Sequence, residues 1–292
     1  MYPGRFRYAS PRALDEAVEL LQKAESDGKV LAGGQSLIPL LKLRFASPSI
    51  LVDINNLPGL DRIEVEADGS FRIGALARHG MLERSAEIGR RQPTAAAAAP
   101  LIADPIVRSR GTLVGSVCHA DPQGDWAAVM IALDGSVVAY GPEGRRTIAV
   151  KDFVTGPFQN VLSYDEIAIE ARIPAPKGSV AGGFLKLERR VGDFATAGAA
   201  VGLELAGGRV VRAGIALTGV GSATINAEAA AGALLDRPIG ADTVARAADL
   251  AAEAANPKSD HRGSAEYKRH VVHTFVRRIL AGIGTDQERA AV

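Results

Sequence analysis

The segment Pro174-Ala175-Pro176-Lys177-Gly178 limits the folds open to this chain more than any other stretch. Its two prolines remove backbone donors and fix φ, and the residue before each is pushed toward an extended conformation, so no helix or paired strand runs through it. An apolar strand is predicted on its near side, Glu166 to Ile173. On the far side strands are predicted near Gly183–Arg189, Ala199–Leu205 and Arg209–Leu217, the last two joined through Gly207-Gly208. Helices follow near Ile225–Leu234, Ala241–Ala255 and Gly263–Ala281. The chain therefore divides here, and 292 residues leave enough for a buried core on each side.

The first part opens with a helix signal. Ser10 is suited to cap it and Pro11 to its first position, and Leu14, Ala17, Val18 and Leu21 recur at helical spacing up to Gly28. A short buried strand, Lys29 to Ala32, precedes a helix over Leu37 to Leu43 and a second strand over Ile50 to Ile54. This β-α-β alternation predicts a small parallel sheet with a crossover helix. After Asn55-Asn56 the pattern changes to hairpins. Ile63–Val65 and Phe71–Ile73 flank Asp68-Gly69, while Val137–Tyr140 and Arg146–Val150 flank a Gly-Pro-Glu-Gly turn. Helices are predicted around His79–Ile88 and Thr94–Ile102. The class is α+β.

Charge narrows the function. Lys+Arg number 34 and Asp+Glu 33, a balance without the bulk field of a nucleic-acid or membrane-surface binder. The only cysteine, Cys118, cannot form an internal disulfide or supply the four thiolates of an iron–sulfur cluster. The five histidines show no zinc motif; His270 and His273 are three apart on a predicted helix without a paired carboxylate. No apolar run reaches the ~18–20 residues of a membrane helix, and no secretory leader is evident, so no membrane insertion and a cytoplasmic location are expected.

Two glycine-bearing segments suit a diphosphate. Val30-Leu31-Ala32-Gly33-Gly34-Gln35-Ser36 lies between a predicted strand and helix, where glycines let amides approach an anion and the helix start supplies unpaired donors. A plain strand-to-helix connector has the same appearance. The segment has neither the Lys-Ser/Thr of a P-loop nor GxGxxG spacing, which disfavours a nicotinamide enzyme of the usual architecture. The second segment, Arg108 to Asp125, carries Gly111, Gly115 and Gly124 and several hydroxyls before an apolar helix. Asp125 is read either as the cap of that helix or as an acceptor for ribityl or ribose hydroxyls. Cys118-His119 has no nucleophile elbow or orienting third group around it.

These segments, with Glu166 to Pro174, Lys186 to Ala197 and Arg262-Gly263-Ser264-Ala265-Glu266-Tyr267, resemble the FAD-binding medium subunits of the xanthine dehydrogenase and carbon monoxide dehydrogenase family, the molybdenum hydroxylases. The resemblance runs over nearly the whole chain. It implies a two-subdomain FAD-binding fold (PCMH/VAO-like) over 1–176, with subdomains about 1–56 and 57–176. A C-terminal domain of antiparallel sheet and helices would occupy 177–286. It implies that Leu31, Ala32, Gly33, Gly34, Gln35 and Ser36, with Thr112, Leu113, Val114, Gly115 and Ser116, cradle the diphosphate, and that Asp125 meets the sugar-like hydroxyls. Lys186 would lie near the flavin ring, Phe194 would shield it, and Ala168 would line it. Valine-substituted variants at Gly33 or Gly34 are expected to lose FAD while keeping the fold.

Two positions depart from the family. Val114 stands where a glycine is usual, and Ala168 where leucine is common; both are read as packing variants. The resemblance further implies a large partner subunit holding the molybdenum cofactor, and a small partner with iron–sulfur clusters of the 2Fe–2S type. It implies a dimer of heterotrimers in which this chain relays electrons to an external acceptor and carries no catalytic residue of its own. The substrate (carbon monoxide, a purine, an aldehyde or an N-heterocycle) and the acceptor (quinone, NAD or oxygen) are left open. The rival readings are a free-standing FAD-dependent oxidoreductase acting on a small molecule and a nucleotide-binding scaffold without redox function.

Overall fold

The computed structural model describes residues 2–290, with side chains through Thr285. The chain opens with β1 (Arg7–Ala9), α1 (Leu14–Ala24), β2 (Gly28–Leu31), α2 (Leu37–Leu43) and β3 (Ile50–Asp53). The strands form a parallel sheet in the order β1-β3-β2, the crossover arrangement expected. Helix α1 buries Ala17, Val18 and Leu21. It starts three residues later than the Ser10-Pro11 signal placed it. The Ser10 hydroxyl accepts from Asn56 Nδ2 at 2.8 Å, and Ala13, extended at φ −132° and ψ 149°, stands at the cap position, so Ser10 is not the cap. Strand β1 went unpredicted because three residues are too few to show alternation.

The next region contains β4 (Ile63–Val65) and β5 (Phe71–Gly74), then α3 (His79–Arg84), α4 (Ala86–Arg91), α5 (Pro93–Ala98), α6 (Pro105–Arg110), α7 (Leu113–His119) and α8 (Asp125–Ala132). Strands β6 (Ser136–Gly141) and β7 (Gly144–Ala149) form the second hairpin. A short α9 (Val150–Phe153), the pair β8 (Val154–Gly156) and β9 (Gln159–Asn160), and β10 (Ile167–Ile173) complete it. The antiparallel sheet runs β4-β5-β10-β6-β7. The single helix expected over His79–Ile88 is two, because the Ser85 hydroxyl accepts from Ile88 N–H and starts α4. Helix α8 is buried on every side, with Trp126 among the largest fully buried side chains.

Beyond the proline segment come β11 (Ser179–Leu187), β12 (Ala197–Ala206), β13 (Arg209–Thr218), β14 (Ile225–Asn226), α10 (Glu228–Gly232), α11 (Ala241–Ala254) and α12 (Ala265–Ala290). The sheet is antiparallel in the order β11-β12-β13-β14. Ile225-Asn226 pairs with Ala216-Leu217 and does not begin a helix as expected. Strand β12 shows how the sheet serves two cores. Ala197, Ala199, Val201, Leu203 and Leu205 pack in the core shared with α11 and α12, whereas Ala200 belongs to the core of the first 173 residues. Small residues on that second face let the sheet press on α8: a Cβ on Gly202 would come within 2.6 Å of Ala132 O. Among the described residues, no helix is long and apolar enough to cross a membrane.

Candidate functional site

The two glycine segments meet main chain to main chain. Strand β2 delivers Ala32–Ser36 to the start of α2, and Gly34 has φ +75°, a left-handed conformation that favours glycine. A Cβ on Gly33 would lie 2.4 Å from Arg110 O and 2.8 Å from Gly111 Cα, so only a glycine admits this approach. Among the described residues, the amides of Gly33, Gly34, Gln35 and Ser36 find no acceptor, and neither does that of Val114 in the first turn of α7, whose cap Thr112 bridges to Arg78. The Ser36 hydroxyl makes no capping bond to α2. Thr112 caps α7 by accepting from Gly115 N–H at 3.0 Å. Unpaired main-chain donors from two loops thus share one region, an arrangement suited to an anion. The Val114 side chain is buried in the core, so its Cβ points away from the loop surface.

A side-chain clamp fixes the separation of the loops. Asn55 Nδ2 donates to Ala32 O at 2.8 Å, and Arg78 Nη2 donates to Asn55 Oδ1 at 2.6 Å. Arg78 Nη1 donates to Arg110 O at 2.6 Å, closing a path from one loop to the other. Burial lowers the pKa of Arg78 first, and the Arg110 charge lowers it further. Beneath the clamp, His79 N–H donates to Gly111 O at 2.9 Å, and Trp126 Nε1 donates to His79 Nδ1 at 2.9 Å. Burial, then Arg108 and Arg78, push the His79 imidazole down to about 4, so it is neutral with its proton on Nε2. Asn55, Arg78 and His79 were missed at the sequence level, where no motif or periodicity distinguishes them.

A second group sits at the seam with the C-terminal sheet. Lys186, on β11, has a side chain only 1% exposed. Its ammonium donates to Leu101 O at 2.6 Å, Asp125 Oδ2 at 3.1 Å and Asp193 O at 3.2 Å, with Glu188 Oε2 also 3.1 Å away. Asp125 is the first residue of α8, but Gly124 is its cap, and the Asp125 side chain makes no capping bond. The helix-cap reading is therefore corrected. Asp125 Oδ1 is buried with no partner among the described residues. Desolvation pushes the Asp125 carboxyl up to about 6 against the opposing pull of Lys186. Phe194 is 50% exposed in the β11–β12 connection. Arg262 Nη1 ties that connection to the α7–α8 turn by donating to Gln123 Oε1 at 3.0 Å and to Phe194 O at 3.4 Å. This accounts for the Arg262 segment noted in the sequence.

Other candidates are accounted for differently. Ala168 is buried in β10, opposite Ala139 and next to a bulge. Desolvation pushes the thiol of the half-buried Cys118 up to about 12, which disfavours the reactive thiolate. A cavity of about 370 Å³ is lined by Asn55, Pro58, Asp61, Arg78 and Met81 among others, and by none of the residues singled out in the sequence. The chain from Leu101 to Arg110 joins the loop pair to the Lys186 group. At Gly33 a valine meets the Arg110 backbone, so such a variant strains the contact between the two loops as well as any anion site there.

The fold agrees with family comparison. Residues 4–176 match the FAD binding domain in molybdopterin dehydrogenase, and residues 183–283 match the CO dehydrogenase flavoprotein C-terminal domain. The chain belongs to the FAD-binding medium subunits of the molybdenum hydroxylases. It is an oxidoreductase subunit whose cofactor is FAD. Within this family it is 40% identical to the carbon monoxide dehydrogenase medium chain of Hydrogenophaga pseudoflava over 280 residues, covering 96% of this chain and 97% of that one. It is 37% identical to the nicotine 6-hydroxylase medium subunit of Paenarthrobacter nicotinovorans, covering 95% and 97%. In three dimensions it is similar to carbon monoxide dehydrogenase from Hydrogenophaga pseudoflava, with TM-score 0.92 and 42% identity over 96% of this chain and 98% of that one. It is also similar to quinoline 2-oxidoreductase from Pseudomonas putida 86, with TM-score 0.89 and 32% identity over 98% and 99%.

Proposed function

We propose that this chain relays electrons from iron–sulfur clusters of a small partner subunit to an external acceptor, in a complex whose large subunit carries the molybdenum cofactor and oxidises the substrate. The abutment of Gly33 on Arg110-Gly111, with unpaired amides on both sides, carries this reading. Leu31–Ser36 and Thr112–Ser116 would hold the FAD diphosphate through those amides. The buried, partnerless Asp125 Oδ1 supplies an acceptor for a sugar-like hydroxyl. Lys186 holds the opposite carboxylate oxygen and so fixes that acceptor. Its charge is balanced by Asp125 and Glu188, so its field at a nearby ring is weaker than that of a lone ammonium. Phe194 and Ala168 would border the ring. FAD supplies storage for two electrons and their release one at a time. The chain's residues bind and orient it.

The FAD-binding domain would span 1–176, with subdomains about 1–56 and 57–176, and the C-terminal domain 177–286. The assembly would be a cytoplasmic dimer of heterotrimers. Purification of the native assembly through a tag on this chain tests the reading. FAD, molybdenum and iron should co-elute, with iron in excess over molybdenum. An assembly with FAD but neither metal would overturn it.

A further inference from the structure

Asp53 closes β3 at the foot of the first loop. It stands opposite Leu31 in the β2–β3 register, one residue before Ala32 leaves the sheet. Its buried carboxylate takes three hydrogen bonds, all from neutral donors. Oδ2 accepts from the Tyr8 hydroxyl of β1 at 2.6 Å. Oδ1 accepts from Asn55 N–H at 2.9 Å, which starts the turn after β3, and from Asn55 Nδ2 at 2.6 Å. The turn needs only the main-chain bond. The bond to Nδ2 decides which end of the Asn55 amide faces which way.

An amide has a donor end and an acceptor end. Asn55 Nδ2 donates to Asp53 Oδ1 and, at 2.8 Å, to Ala32 O, while Asn55 Oδ1 accepts from Arg78 Nη2 at 2.6 Å. A flipped amide would set its oxygen against a carboxylate and a carbonyl, and its NH2 against a guanidinium. All three contacts would then be repulsive. Asn55 thus bridges an anion on β3 and a cation just before α3, and each charge polarises the amide so as to strengthen its bond to the other. Burial lowers the Arg78 pKa first and the Arg110 charge next, and the Asp53 and Asp61 carboxylates oppose both. Of these two carboxylates, Asp53 is the one bonded to Asn55.

We propose that Asp53 is a positioning residue for the cofactor: its charge holds the Asn55 amide in the orientation that ties Ala32 to Arg78, and so sets the spacing of the two loops. The inference rests on the reading that these loops hold the FAD diphosphate. D53N keeps the side-chain shape and an acceptor for Asn55 N–H, and the Tyr8 hydroxyl, which donates and accepts, keeps a partner. The change removes the charge alone.

The test compares FAD content of the native assembly after equilibrium dialysis in D53N, D61N, R78M and D53N/R78M, with thermal melts alongside. D53N is expected to lower FAD retention about fivefold with melting unchanged. D61N removes the same charge from an exposed site beside Arg78 without releasing Asn55, so it should stay within about twofold of wild type. D53N/R78M should retain FAD as well as R78M alone, because both changes act through Asn55. A role in folding alone would instead lower the D53N melting temperature and multiply the two losses in the double variant. Wild-type retention in D53N, an equal loss in D61N, or multiplied losses in the double variant would overturn the inference. Wild-type retention in R78M would overturn the placing of the diphosphate between the loops, so the two failures are distinguishable.

Discussion

Replacing Gly33 with alanine tests the contact on which the site depends. The added Cβ would stand 2.4 Å from Arg110 O and 2.8 Å from Gly111 Cα, both main-chain atoms that cannot rotate away. Restoring an ordinary contact requires the two loops to part by about 1 Å, at a typical overpacking cost of about 1–3 kcal/mol. An amide–phosphate hydrogen bond of about 2.8 Å, lengthened by that amount, falls outside hydrogen-bond range. If two charge-assisted bonds of about 1.5–3 kcal/mol each are lost, FAD retention weakens roughly 10²- to 10⁴-fold. The assay is FAD content after equilibrium dialysis of the native assembly, with a thermal melt alongside. Gly89→Ala is the control, since a Cβ there meets nothing within 4 Å, and it should keep both properties. Wild-type retention and melting in Gly33→Ala would refute the reasoning.

Three further outcomes are expected. His79, held down to about 4, is neutral in the fold, whereas the unfolded chain protonates near the ordinary histidine value. The stability it contributes is complete above about pH 6.5 and is lost as pH falls toward 4, at most about 3 kcal/mol. Urea titrations followed by the emission of Trp126, its hydrogen-bond donor, should show this loss, and His79→Gln should abolish it; an identical acid slope in the variant would contradict the assignment. Asp125 titrates near 6, so FAD release should increase as pH falls from 7 to 5 and the carboxylate loses a proton-acceptor site. Asp125→Asn should flatten that profile, and an unchanged profile would remove Asp125 from the site. Arg78→Met deletes two donors of the loop clamp, so it should weaken FAD retention about tenfold or more, with Arg78→Lys recovering part of it. Equal retention in both variants would show that the clamp does not position the loops.

What could be read from the sequence was local. The helix α2 over Leu37–Leu43, the two hairpins and the glycine pair each lie within a short window whose period or turn chemistry identifies them. Strand β1 was too short to announce itself. Ser10 looked like a cap, but its hydroxyl is engaged by Asn56, 46 residues away. The same limit applied to the site. Lys186 and Asp125 were named separately by resemblance, but their pairing across 61 residues leaves no local trace. Arg78 follows an ordinary apolar stretch, and only the fold places its guanidinium between Asn55 and Arg110 O. The Gly33 packing constraint was hidden for the same reason: glycine permissiveness is visible in sequence, whereas the Arg110 carbonyl opposite it is not.

A crystal structure of the native assembly with its yellow cofactor offers the most direct test of the account. Density for the diphosphate should lie between Gly33–Ser36 and Thr112–Val114, within hydrogen-bond distance of their amides, with a sugar-like hydroxyl on Asp125. A diphosphate seated elsewhere, such as the cavity beside Pro58 and Met81, would contradict it.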